Sequence, residues 1–348
     1  MPVKIGTRGS RLALWQAQTF AHALTTAGHG PCEIVIFRTS GDQLQDRPLS
    51  EEGGKRLFVR EIEEALLGRA IDVAVHSAKD LPADLPAGLT IGGVLPREDP
   101  RDAVVLSLSS AQIATDLGSA ASEVRTAHAS EPWQAAGVGP HGKGKEEAWL
   151  ALGVGPQRKA NRIATGSIRR IAQLRPAWPD ARFEPVRGNV DTRLRKLDEG
   201  QFDALVLAAA GLRRLGFGDR ISALIPLDRC VPAPGQGAIA IEVRADDVKT
   251  GQAVAAVSDV DTAVALEAER VVVDEIGGGC QVPLGAVATI ADGTLELLAV
   301  VASPDGSRVA RATVRGPASQ FRALGRRAAD ELAAAGGREI LDGLGIRR

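Results

Sequence analysis

The chain contains no tyrosine, and aromatic residues make up only 3% of its 348 positions. Its cores must therefore rest on Ala, Val, Leu and Ile. The five histidines are scattered, and the three cysteines, Cys32, Cys230 and Cys280, are far apart and odd in number. That pattern fits neither a disulfide framework nor the spacing of zinc ligands, so no metal is expected. The formal net charge is −1, which gives no overall pull toward nucleic acid or a membrane surface. No uncharged apolar run approaches the roughly 18 residues needed to span a bilayer. The start, Met1-Pro2-Val3-Lys4-Ile5-Gly6, lacks the apolar core of a signal peptide. These absences predict a soluble, reduced, cytoplasmic protein. Nothing demands an oligomer, so a monomer is expected.

What is present is a repeated rhythm. Val3 to Ile5 reads as a strand that runs into the turn Gly6-Thr7-Arg8-Gly9-Ser10. Leu14, Ala17, Ala21 and Leu24 follow at helical spacing. Residues 33–38 alternate as a second strand; Phe58, Ile62, Ala65 and Leu66 mark another helix, and 71–75 another strand. This order predicts an α/β unit with a parallel sheet, whose ligands bind at the carboxyl ends of the strands. The rhythm resumes after residue 161 with strands at 162–165, 182–186 and 203–207, Ser167 capping one helix and Asp191 another. A further strand is expected at 238–243. The last part reads differently: a helix over 262–275, strands near 285–290, 294–301 and 308–315, and a closing helix from about 318 to 334. That is the pattern of a small α+β domain.

Four stretches can carry chemistry. In His76-Ser77-Ala78-Lys79-Asp80, a charged pair follows a buried strand. Asp80 suits general acid/base work and Lys79 suits a carboxylate, although a surface ion pair in a βα loop would look the same. Thr165-Gly166-Ser167-Ile168-Arg169-Arg170 sets hydroxyls and two guanidiniums at a helix N-terminus. Cations there oppose the helix dipole, which favours a ligand role over simple solvation of the helix surface. Val186-Arg187-Gly188-Asn189-Val190-Asp191-Thr192-Arg193 repeats the arrangement. With Arg8 and Arg11 added, the set suggests a ligand bearing several carboxylates. The fourth is Gly277-Gly278-Gly279-Cys280-Gln281-Val282-Pro283. Here Cys280 either carries a covalent organic group or is a buried structural thiol. Gly139-Pro140-His141-Gly142-Lys143-Gly144-Lys145 looks like a phosphate loop, but Glu146 stands where Ser or Thr is required.

Taken in order, these segments resemble the porphobilinogen deaminase (hydroxymethylbilane synthase) family along nearly the whole chain. The resemblance also rests on Gly53-Gly54-Lys55, on Arg97-Glu98-Asp99-Pro100-Arg101-Asp102, on Pro234-Gly235-Gln236-Gly237-Ala238 and on Gly278-Gly279-Cys280-Gln281-Val282-Pro283. It implies two α/β lobes like those of type II periplasmic binding proteins, joined by two crossovers, plus the small α+β domain. The implied domains are 1–96 with about 238–258, then 97–237, then 259–348. It further implies a dipyrromethane cofactor bound through a thioether to Cys280, on which four porphobilinogen molecules are deaminated and joined head to tail. By the same resemblance, Lys79, Asp80, Thr165, Ser167, Arg169, Arg170, Arg187 and Gly188 hold the cofactor. Arg8, Ser10, Lys55, Phe58, Arg169, Arg193 and Gln236 hold substrate, with Lys55 on a loop over the cleft. Asp80 is the implied catalytic carboxylate, bonding pyrrole N–H groups and stabilising the azafulvene cation left when ammonia departs.

Two departures stand out. Gly166 replaces a serine that many family members carry. The stretch from Ser107 to Asn161 runs roughly 40 residues longer than the family pattern, and we expect it to be a mobile surface insertion. The competing functional class is a periplasmic-type binding module for a carboxylate or oxyanion. It would explain the lobes and arginines but leaves Cys280 and Asp80 without a task, and the absent signal peptide speaks against it. A regulatory protein that has lost activity is disfavoured by the intact Asp80, Cys280 and arginine set.

Overall fold

The structure, a computed structural model, describes residues 2–43, 58–107, 162–277 and 282–346. Lys55, Cys280, the phosphate-loop look-alike and nearly all of the expected insertion lie outside them. The first sheet comprises β1 (Val3–Arg8), β2 (Cys32–Phe37), β3 (Val73–Ser77) and β4 (Leu89–Leu95), with β10 (Ile239–Arg244) inserted in the order β2-β1-β3-β10-β4. The second comprises β5 (Asp102–Leu106), β6 (Arg162–Ala164), β7 (Arg182–Glu184), β8 (Ala204–Ala208) and β9 (Ala223–Leu224), in the order β7-β6-β8-β5-β9. Each is parallel except for one strand supplied across the lobe boundary. β10 runs antiparallel to β3 and β4, and β5 runs antiparallel to β8 and β9. The sheets are therefore mixed, not purely parallel, because the chain enters the second lobe through β5 and returns through β10. This repeated order is the type II periplasmic-binding-protein arrangement.

The helices form where caps and apolar spacing coincide. Ser10 Oγ accepts from Ala13 N at 3.2 Å and starts α1 (Arg11–Thr26), which buries Ala17, Phe20 and Leu24 against β1 and β3. Each such fully buried Leu or Phe contributes about 1.5–3 kcal/mol. A single turn, α2 (Ser40–Gln43), precedes α3 (Arg60–Leu67), whose Ile62 and Leu66 cover the other face of the sheet. Ser167 caps α4 (Ile168–Leu174) as expected, accepting from Arg170 N at 3.4 Å. Next come α5 (Val190–Asp198) and α6 (Ala209–Arg214). Asp191 does not cap α5: Asn189 occupies that place without a side-chain bond, and Asp191 lies inside the first turn. Asp247 and Asp259 cap α7 (Val248–Ala255) and α8 (Val260–Ile276).

The C-terminal unit is the antiparallel meander β11 (Leu284–Ala291), β12 (Thr294–Ala302) and β13 (Val309–Pro317), followed by α9 (Phe321–Ala334) and α10 (Gly337–Asp342). Strand alternation sorts its two faces. Ala286, Ala288, Leu297, Ala299 and Val301 pack on α8 and α9, whereas Val287, Leu298 and Val300 meet Leu227 and Val231 of the second crossover. Glu269 of α8 fastens the three units together. It pairs with Arg97 of the first crossover at 2.5 Å, and accepts from Gly235 N of the second at 2.6 Å and from Ala288 N at 2.7 Å. All three partners converge on a carboxylate with no exposure.

Candidate active site

An open cleft enclosing about 2100 Å³, part of it solvent at the mouth, separates the two lobes. From the first lobe it is lined by Arg8, Ser10, Phe58, Lys79 and Asp80. The second contributes Ser167, Arg169, Arg170, Arg187, Gly188 and Arg193, and the second crossover contributes Gln236. Thr165 is fully buried and does not line it; its Oγ1 accepts from Ser167 N at 3.4 Å.

β1 runs through Arg8, further than the sequence turn suggested, so Arg8 leaves the sheet at a strand end. Its guanidinium sits 4.4 Å from the centre of the Phe58 ring and 4.0 Å from Asp80 Oδ2. β3 likewise continues to Ser77, and Ala78–Asp80 form one 3₁₀ turn. That turn is clamped from behind. Ala78 N donates to Ala238 O at 3.0 Å, and Gly235 approaches so closely that a Cβ would lie 3.0 Å from Lys79 N. With φ at +74° as well, position 235 admits little but glycine. Lys79 and Asp80 are thus presented on a backed, rigid turn. Desolvation pushes the Lys79 ammonium down to about 8; Asp80 opposes this and Arg170 adds to it.

In the second lobe the sequence pictured the Arg169 and Arg170 forks as open to a ligand. Part of each fork is already committed to Asp102, which has no exposure. Arg169 Nη1 lies 2.8 Å from Asp102 Oδ2, and Arg170 Nη2 lies 2.8 Å from Oδ1. Gln236 Nε2 donates to the same Oδ1 at 2.8 Å, so Gln236 braces the counter-ion as well as lining the cleft. Burial would raise Asp102, but the two guanidinium charges outweigh it and hold the carboxyl well below its usual range. Burial, reinforced by Asp102, raises the neighbouring Cys230 thiol to about 12, which makes it inert. Buried Arg169 Nε has no hydrogen-bond partner. Arg193 Nε donates to Gly188 O at 2.7 Å. Desolvation, then the charges of Arg170 and Arg187, lower its pKa to about 10.

A second cavity adjoins the cleft and shares Lys79, Ser167 and Arg169 with it. Arg270 and Val273 of α8 line its far side with Val282, two positions beyond Cys280 in the sequence. Asp102 and Arg270 are the site residues that sequence reasoning missed. Asp102 stood within a quoted charged run, but its burial beneath two arginines had no local signal.

Two family models match the chain. "Porphobilinogen deaminase, dipyromethane cofactor binding domain" matches residues 3–131 and 152–252, and "Porphobilinogen deaminase, C-terminal domain" matches 263–334. The chain belongs to the porphobilinogen deaminase family. The porphobilinogen deaminase of Syntrophobacter fumaroxidans is 43% identical over 98% of this chain and 97% of its own length. That of Chromobacterium violaceum is 43% identical over 97% and 96%, and that of Syntrophotalea carbinolica 41% over 99% and 96%. Every described residue lining the cleft falls within the match to the cofactor-binding domain of this family. The match is interrupted at 132–151, inside the stretch expected to be an insertion.

Proposed function

We propose that the chain works as hydroxymethylbilane synthase, a transferase (EC 2.5.1.61) that deaminates porphobilinogen and joins the units head to tail on a dipyrromethane cofactor, in tetrapyrrole and haem biosynthesis. The observation that carries the reading is the cleft: cations from both lobes converge around Asp80. The donor set fits a dipyrromethane, whose pyrroles bear acetate and propionate groups. Arg169, with an unpartnered Nε, and Lys79 and Ser167 line both cavities and would hold it. When bound, it supplies the pyrrole carbon that begins the chain.

The protein's own residues do the rest. Arg8, Arg169 and Arg193 hold substrate carboxylates, with Ser10, Phe58 and Gln236 as further substrate contacts, and Arg170, Arg187 and Gly188 join the residues that would hold the cofactor. Asp80 accepts hydrogen bonds from pyrrole N–H groups and stabilises the positive charge that grows on the substrate as ammonia leaves. Arg8, 4.0 Å away, keeps the carboxylate directed into the cleft. Cys280 is the attachment point and Lys55 a contact over the cleft; both assignments rest on the sequence resemblance alone. The division into units 1–96 with 238–258, 97–237 and 259–348 belongs to the same reading, supported by which strands share a sheet. We place the protein in the cytoplasm as a monomer that does not bind nucleic acid. No helix among the described residues is long and apolar enough to cross a membrane.

Intact mass and porphobilinogen consumption test this. Wild type should exceed its sequence mass by a covalent dipyrromethane and form a product that colours with Ehrlich's reagent. Asp80→Ala should fold normally and lose about two to three orders of magnitude in turnover. Cys280→Ser should carry no pyrrole. An active Cys280→Ser protein without the bound group would sink the assignment.

A further inference from the structure

The chain passes between the lobes twice, through 96–101 and 225–238. Side chains make a further connection at the cleft. Arg11, the first residue of α1, forms a close ion pair with Asp191 of α5. Its guanidinium lies 5.8 Å from the Phe217 ring centre, also in the second lobe. The reciprocal contact lies beside it: Arg214 of α6 sits 5.6 Å from the ring of Trp15 on α1. The chain has 4 Trp and 7 Phe, and among the described residues two of these rings receive a cation from the opposite lobe. Asp191 stands in the first turn of α5, but its carboxylate reaches across the gap instead of capping the helix.

We propose that Arg11 and Asp191 form an electrostatic clasp between the lobes, and that carboxylates of the growing pyrrole chain release it by competing with Asp191 for Arg11. The pair is well placed for release. Arg11 is 63% exposed and Asp191 35%, and an exposed pair biases an equilibrium by only about two- to fivefold. Both residues line the cleft that the polyanionic chain fills. Asp191 meets Arg11 through one contact, Oδ1 to Nη1, and a ligand carboxylate can take the guanidinium's forked donors in its place. Each added unit brings an acetate and a propionate, so competition grows with chain length. The release step rests on the proposed activity; the clasp in the resting protein does not.

A double-mutant cycle on the full chain with its cofactor tests both parts, using Arg11→Gln, Asp191→Asn, the two combined, and the exchange Arg11→Asp with Asp191→Arg. Amide hydrogen exchange is read over α1 and α5. In the resting protein each single change should speed exchange about two- to fivefold. The combination should do no more than either single change, and the charge exchange should restore protection. After stoichiometric loading with porphobilinogen, checked by native mass spectrometry, wild type and variants should exchange alike. Additive single effects at rest would overturn the clasp, and coupling that persists undiminished in the loaded protein would overturn its release. If porphobilinogen does not load, the proposed activity and the release step fail together, and the resting cycle alone decides the clasp.

Discussion

The two α/β lobes repeat one strand order and use it for different chemistry. At the ends of β1 and β3 the first lobe sets Arg8 and Lys79 beside Asp80. At the equivalent ends of β6 and β7 the second lobe sets Arg169, Arg170, Arg187 and Arg193, with Asp102 buried beneath the first pair. Topology decides where a parallel sheet can present polar groups. Which carboxylate is left facing the cleft decides the role. Asp80 faces it and is free to act on a ligand in the proposed reading. Asp102 is locked in a structural pair.

The sharpest way to break that contrast is Asp102→Asn. It leaves two buried guanidiniums short of a counter-charge, which costs about 3–5 kcal/mol. Urea unfolding should show this loss, whereas Asp80→Ala should unfold like wild type. The Asp102 carboxyl lies below its ordinary 3.8 in the folded state. Its stabilisation is therefore fully present above that pH and lost as pH falls toward the folded value. The acid limb of the stability profile should flatten in Asp102→Asn. A loss under about 1 kcal/mol would mean that the pair is not the structural anchor described.

A smaller effect separates the lobes by pH. Lys79 titrates near 8, so its charge disappears above that value. Turnover of porphobilinogen should fall about tenfold from pH 7 to pH 9.5, as a charge-assisted contact to the cofactor is lost. Lys79→Arg should remove this alkaline limb, and an unchanged limb would assign it elsewhere. Stability responds in the opposite sense. Between about 8 and 10.5 the folded state holds fewer protons at Lys79 than the unfolded state, so rising pH favours folding there. The smallest effect is expected for Gly166→Ser in the second lobe. A Cβ would meet Val186 O at 3.1 Å, a contact that small shifts can relieve. Stability should change by under about 1 kcal/mol, and KM should fall slightly if the added hydroxyl reaches a ligand carboxylate.

Much of the scaffold was legible because it is periodic. α1, α8 and the meander follow apolar spacing and caps closely. β4 escaped notice because Gly92 and Gly93 interrupt its run. They are there to admit Val243 and Val254, a reason found only in the neighbouring elements. α7 and α10 are short and carry little pattern. At the site, Arg8, Lys79, Asp80 and the two arginine segments could be named because each lies at a strand end. The counter-ion could not. Nothing local to Asp102 says that residues 67 and 68 positions later will fold over it. Asp191 shows the converse: its position predicted a cap, but the helix begins at Val190, which leaves its carboxylate free of the cap and paired with a residue 180 positions away.

Glu269 bears on how such a chain could change over evolutionary time. One carboxylate neutralises the first crossover, bonds the backbone of the second and pins the meander. A version lacking the C-terminal unit would retain Arg97 buried without its counter-charge and would lose the acceptor behind the turn that backs Lys79. The third unit is therefore no appendage to be lost or exchanged by recombination. Substitutions at the junction must be matched across all three units, and the chain can diverge there only as a whole.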